Sequence, residues 1–101
     1  MTRSVAEANI AISRIRDMPY GIARSTASAA ELDRITAEGP PEARAYALFT
    51  TVEGYAWGGE VDKAFLPFTQ MLRWWDAHPE YFDEQDQHSL FWSFKWMEIG
   101  R

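Results

Sequence analysis

The stretch YAWGGEVDKAFLPFTQM, residues 55–71, carries the pattern that decides the fold. Gly58-Gly59 allows the chain to reverse over a short connection, because glycine adopts backbone angles that other residues avoid. Ala64, Phe68 and Met71 then recur at the spacing of one helix face. Tyr55 belongs to a similar stripe before the glycines. The stretch therefore predicts two helices that fold back on each other.

The order and spacing of six residues fit the 34-residue tetratricopeptide (TPR) repeat. They are Leu48, Tyr55, Gly59, Ala64, Phe68 and Met71. Val52 departs from the pattern, which has Gly or Ala at that position, and the proline expected after the second helix comes late, at Pro79. The chain thus resembles the TPR family, and residues 54–96 also resemble the N-terminal part of longer actinobacterial TPR proteins. The resemblance implies a scaffold whose surface binds another protein.

Proline and glycine divide the chain into five predicted helices, at about residues 4–16, 22–37, 41–57, 60–77 and from 83 onward. We predict an all-α fold in which about five antiparallel helices form a short TPR-like superhelical array. Residues 1–101 form one domain, with an N-terminal helical cap (1–39), the best repeat match (41–77) and a terminal aromatic helix (83–101).

Apolar stripes predict which residues of these helices are buried. In the first helix they are Val5, Ala8, Ile12 and Ile15, and in the second Ile22, Ala29, Leu32 and Ile35. The fourth helix is expected to pack through Val61, Ala64, Phe68, Met71, Leu72 and Trp75. Pro67 lies inside that helix and predicts either a kink or a separate first turn.

Charge and composition exclude several classes of function. Nine acidic and four basic side chains in residues 46–101 account for the net charge of −5, so nucleic-acid binding is disfavoured and a basic partner fits better. The absence of cysteine excludes disulfides and thiol catalysis. No segment has the apolar length of a membrane span, and residues 1–15 lack the apolar core of a signal peptide. We therefore expect a cytoplasmic protein without membrane contact.

The terminal helix has large apolar side chains on nearly every face. They are Leu90, Phe91, Trp92, Phe94, Trp96 and Met97. Antiparallel pairing joins the first helix to the second and the third to the fourth, which leaves the fifth without a partner. We expect a second copy of the chain, or further helices of a longer array, to cover Trp92 and Trp96.

Histidines and carboxylates concentrate in residues 76–88. The spacing matches neither His-Glu-x-x-His nor an EF-hand loop, so an acidic loop and helix start are favoured over a metal site. A catalytic base at His88 is disfavoured because no nucleophile is placed beside it: Ser89 follows it directly, and consecutive helical residues point in different directions. We expect no cofactor and no enzymatic activity.

Aromatic residues suggest where a partner binds, because tryptophan and arginine are enriched in binding hot spots. Trp74 cannot share a core stripe with Trp75, so it is expected either to pack on Tyr81-Phe82 or to face a partner. We predict a module that binds a partner peptide or helix through Trp57, Arg73, Trp74, Trp92 and Trp96. Two alternatives stay open: an aromatic pocket for a small molecule or metal with Glu53, His78 or His88, and a purely structural domain that self-associates.

Overall fold

A computed structural model describes residues 4–82, 88, 91–92 and 94–95 of the chain. Within this part the regular structure is entirely helical, which confirms the predicted all-α class. The helices are α1 (Val5–Arg16), α2 (Ile22–Glu38), α3 (Arg44–Trp57) and α4 (Val61–Ala77), with short 3-10 helices at Pro41–Ala43 and Pro79–Tyr81. The boundaries lie close to those predicted, except that the third helix begins with a 3-10 turn.

Local signals in the sequence set the ends of these helices. The Ser4 hydroxyl accepts a hydrogen bond of 3.1 Å from the Glu7 backbone N–H and so caps the start of α1. Gly39 ends α2 with a φ of 77°. Gly59, with a φ of 85°, reverses the chain between α3 and α4. The glycine turn predicted from the sequence is therefore present.

Helix α3 lies at the centre and contacts α1, α2 and α4. The shared core contains Ala8, Ile12, Leu32, Ile35, Ala64 and Met71, which the apolar stripes predicted to be buried, together with Leu48 and Val52 of α3. Val52, where the repeat pattern has Gly or Ala, is completely buried. The close approach of α2 to α3 occurs instead at small residues nearby, where the Ser25 hydroxyl donates to the Gly54 carbonyl at 3.2 Å.

Three residues predicted to be buried are exposed: Val5 by 39%, Leu72 by 40% and Ile22 by 71%. Val5 is the first residue of α1, and Leu72 lies beside the stripe of α4 that contains Met71. Helix α2 buries Leu32 and Ile35 as predicted, but the rest of its inward face is polar, because Ser25 and Ser28 form hydrogen bonds to α3. That face consists of Arg24, Ser25, Ser28, Glu31, Leu32 and Ile35, and Ile22 lies off it.

Helix α4 is continuous through Pro67, which is buried, so no separate first turn forms. Of the predicted terminal helix, His88, Phe91, Trp92, Phe94 and Lys95 are described, and all are helical. The ring of Phe94 lies 5.9 Å from that of Phe68, which places this segment against α4. The rest of residues 83–101, including Trp96, lies outside the described residues.

Candidate functional site

A groove runs between α2 and α4, with α3 as its floor. One part has a volume of about 340 Å³ and is lined by Leu32, Asp33, Thr36, Arg44, Leu48, Gln70, Arg73 and Trp74. The other has a volume of about 380 Å³ and is lined by Ala29, Leu32, Asp33, Thr51, Tyr55, Asp62, Lys63, Leu66, Pro67 and Gln70. Since Leu32, Asp33 and Gln70 border both parts, they form one continuous surface, the α2–α4 groove.

The helical repeat explains how the three helices build this groove. From α3 it receives Arg44, Leu48, Thr51 and Tyr55, which share one face at intervals of three or four residues. Because Arg44 lies beside Trp74 while Tyr55 lies with Asp62, α3 runs antiparallel to α4. The end of the groove formed by Arg44, Arg73 and Trp74 is called the Trp74 end.

Trp74 is held in place by contacts on several sides. The Arg44 guanidinium lies 4.3 Å from the centre of its ring, within the range of a cation–π contact. The His78 ring lies 4.1 Å away, and Tyr81 stacks on the indole at 6.0 Å. The predicted contact of Trp74 with the segment at Tyr81-Phe82 is therefore present. Trp74 also lines the groove, so its side chain both packs against neighbouring residues and forms part of the groove surface.

Two buried N–H donors at the Trp74 end have no acceptor. They are Nε of Arg44 and Nε1 of Trp74. A terminal nitrogen of Arg44 does donate to the Thr36 carbonyl, at 3.4 Å. Buried donors without an acceptor are rare, since the loss of their hydrogen bonds to water is unfavourable. Two donors without an acceptor therefore lie at the Trp74 end of the groove.

The opposite end of the groove carries a different charge. Lys63 forms an ion pair with Glu60, with 2.8 Å between Nζ and Oε1, so its charge is locally compensated. Asp62 lines this end and lies in the first turn of α4. Asp33 borders both parts. Acidic groups thus dominate here, whereas two guanidinium groups face one carboxylate at the Trp74 end.

The residues predicted to bind a partner do not form one site. Arg73 and Trp74 lie together in the groove. Trp57, at the end of α3, is 44% exposed and lines neither part of the groove. Trp92 is 55% exposed, and its indole donates to Nε2 of His88 at 3.0 Å. Arg44, Asp33 and Leu66 also line the groove and were not predicted, although the spacing of Arg44, Leu48 and Tyr55 indicates a shared face.

Glu53 and His78, two polar residues of the alternative small-molecule hypothesis, line neither part of the groove, although His78 contacts Trp74. Glu53 is largely buried on α3, with Oε2 3.5 Å from a terminal nitrogen of Arg16. Burial raises the pKa of Glu53, while Arg16 and Arg24 partly oppose this shift. His78 lies 3.3 Å from Glu80 through its Nδ1 atom. Within the described residues, no group of three His, Asp or Glu side chains is arranged to hold a metal ion.

Comparison with protein-family models, curated proteins and solved structures finds no match to this chain. The resemblance to TPR proteins therefore rests on the sequence alone, at positions 48–71 and 54–96. In the part of the chain that the structure describes, no helix has the length and apolar character needed to cross a membrane.

Proposed function

We propose that this chain is a non-enzymatic interaction module whose α2–α4 groove receives a peptide or helix of a partner protein. The observation that carries the proposal is the continuous groove between two helices that are held apart by α3. Grooves between helices commonly bind extended or helical peptides. Leu66, 68% exposed at the groove, offers the apolar contact that such a ligand needs.

The TPR-like arrangement is part of this proposal. The Gly58-Gly59 turn, the antiparallel α3–α4 pair and the buried Ala64 and Met71 support it. So does the contact of Phe94 with Phe68, since it continues the packing beyond α4. In such arrays each helix pair packs on the next and the exposed grooves bind ligands.

Selection of peptides from a displayed library tests the function directly. We expect peptides that bind the wild-type chain and do not bind Gln70→Trp, because residue 70 borders both parts of the groove and a tryptophan there would fill it. Thr69→Trp is the matched control, since Thr69 is exposed on the same helix but lines neither part. Failure to select any peptide, or equal binding to Gln70→Trp, would contradict the proposal.

A small-molecule function is the second candidate, and the unpartnered donors of Arg44 and Trp74 favour it. The ligand would then be a compact anion rather than a peptide. Native mass spectrometry of the purified chain distinguishes the two, because a bound metabolite adds a defined mass. A stoichiometric adduct that is absent from Arg44→Met would support the small-molecule function.

A further inference from the structure

We infer that the Trp74 end binds a carboxylate, supplied by an acidic side chain of the peptide that occupies the groove. The inference rests on the proposed function and adds the chemistry of the ligand. The Nε donor of Arg44 and the Nε1 donor of Trp74 have no acceptor within the chain, and they belong to side chains that contact each other and line this end of the groove. A carboxylate has two oxygens that each accept hydrogen bonds.

Charge at this end favours an anion over a cation. Arg44 and Arg73 both line it, opposed by Asp33 alone. Among the described residues, no carboxylate lies within ion-pair distance of either guanidinium group. A bound acidic group would form charge-assisted hydrogen bonds, which are shorter and stronger than neutral ones. The negative charge of the whole chain suggested a basic partner, but it does not describe this end of the groove.

The donors are also held in place before a ligand arrives. Trp74 contacts His78 and Tyr81, which both follow the end of α4. Arg44 contacts Trp74 and donates to the Thr36 carbonyl. A site that is ordered in advance loses less entropy on binding. The groove extends from the charged Trp74 end toward the apolar side chain of Leu66. A peptide in which leucines flank an acidic residue therefore offers a charged group and apolar groups to the corresponding parts of the groove.

Nuclear magnetic resonance tests the inference at the two atoms themselves. The probe is the peptide acetyl-Leu-Glu-Leu-amide, whose only carboxylate is the glutamate side chain. We expect it to shift the indole N–H signal of Trp74, assigned by its loss in Trp74→Phe, and the Nε–H signal of Arg44. The glutamine peptide acetyl-Leu-Gln-Leu-amide should bind at least about tenfold more weakly, because it lacks the charge.

Two variants separate the local site from general charge effects. Arg44→Met should abolish the preference for the glutamate peptide. Arg14→Met removes the same charge from an exposed position on α1, and this variant should keep the preference. Equal affinity for the two peptides, or no shift at either N–H, overturns the inference. A response to acetyl-Leu-Gln-Leu with a free terminal carboxylate, without a response to the glutamate peptide, overturns the assignment to a side chain.

The failure of this inference is distinguishable from the failure of the proposed function. If selected peptides occupy the groove but show no preference for an acidic residue at the Trp74 end, the inference fails and the function stands. If no groove-bound peptide is selected while the glutamate probe shifts both N–H signals, the function fails and the carboxylate site stands.

Discussion

The guanidinium group of Arg44 lies 4.3 Å from the ring centre of Trp74, which joins the start of α3 to the last turn of α4 at the groove. Both side chains have buried nitrogen donors without an acceptor. A contact that served stability alone would be expected to satisfy these donors. Buried donors without an acceptor lower stability, and this supports the proposal that the Trp74 end of the groove binds a ligand.

Arg44→Met should therefore change the free energy of unfolding little while it removes the binding of an acidic peptide at the Trp74 end. The substitution loses a cation–π contact of about 0.5–2 kcal/mol. It also removes a buried unsatisfied donor, whose burial costs about 1–3 kcal/mol. These effects oppose each other, so we expect the free energy of unfolding in urea to stay within about 1 kcal/mol of wild type. A much larger loss would show that Arg44 is chiefly a structural residue.

The hydroxyl pair between α2 and α3 should show an asymmetric response to substitution. Ser28 Oγ and Thr51 Oγ1 lie 2.8 Å apart, and Thr51 donates to the Ala47 carbonyl at 2.8 Å, so Ser28 is the donor to Thr51. Thr51→Val leaves a buried Ser28 hydroxyl without its acceptor and should cost about 1–3 kcal/mol. Ser28→Ala leaves Thr51 bonded to Ala47 and should cost less.

A double-mutant cycle measured by urea denaturation checks this asymmetry. With Thr51→Val already present, the added substitution Ser28→Ala should restore part of the lost stability, because it removes the unsatisfied hydroxyl. Equal losses from the two single variants that add in the double variant would show that the hydrogen bond contributes nothing specific.

Gly54 and Gly58, which lie four residues apart near the end of α3, should respond in opposite ways to substitution by alanine. A Cβ atom at Gly58 would overlap the Gly54 carbonyl oxygen and approach the Gly21 nitrogen to 3.4 Å, and both are backbone atoms. A Cβ at Gly54 would lie 3.8 Å from Ser25 Oγ, an ordinary contact. We expect Gly58→Ala to lower the free energy of unfolding by about 1–3 kcal/mol. Gly54→Ala, inside α3, should be neutral or stabilise by up to about 1 kcal/mol.

Thermal unfolding followed by circular dichroism compares the two glycine variants directly, since each differs from wild type by one methyl group. Equal melting temperatures for Gly58→Ala and wild type would show that the turn between α3 and α4 can shift to accommodate a side chain.

Loss of the Glu53 proton should lower the free energy of unfolding as the pH rises above the ordinary pKa of a glutamate. Burial raises the pKa of Glu53 in the folded chain above the ordinary value of a glutamate, so between the unfolded and the folded pKa the folded state holds a proton that the unfolded state has lost. The stabilising contribution is therefore complete below the unfolded pKa and is lost as the pH rises through the folded one. Glu53→Gln should remove this part of the pH dependence.

Urea midpoints measured from about pH 4, near the ordinary glutamate pKa, to about pH 7 test whether stability falls as the pH rises. Glu42→Gln is the control, because Glu42 is an exposed carboxylate in the 3-10 turn before α3. A wild-type midpoint that rises relative to Glu53→Gln across this range would mean that the ion pair with Arg16 outweighs burial.

The sequence predicted the helices well because the signals for them are local. Gly58-Gly59 and the recurrence of Ala8, Ile12 and Ile15 need no knowledge of the rest of the chain. The buried face of α2 could not be predicted from such local signals. Ser25 and Ser28 are buried because they bond to Gly54 and Thr51, which are distant in sequence.

The groove was harder to predict because it depends on which faces of α2 and α4 remain apart. Arg44 and Asp33 are ordinary surface charges in the sequence, and only the packing of both helices on α3 brings them to one surface. Trp74 was identified because a tryptophan next to Trp75 cannot share its face. Its partner Arg44, thirty positions earlier, carries no local signal of that contact.

Self-association through the terminal helix remains a prediction, and it concerns a surface separate from the groove. Phe91, Trp92 and Phe94 are exposed by 53%, 55% and 47%, and neighbouring exposed aromatic residues commonly mark an interface. Light scattering on a sizing column at several concentrations should give the mass of a dimer, and Trp92→Ser should shift it toward the monomer. Trp57→Ser changes an exposed tryptophan elsewhere and should leave the dimer intact. A monomer mass at every concentration would mean that these aromatic side chains do not join two copies of the chain.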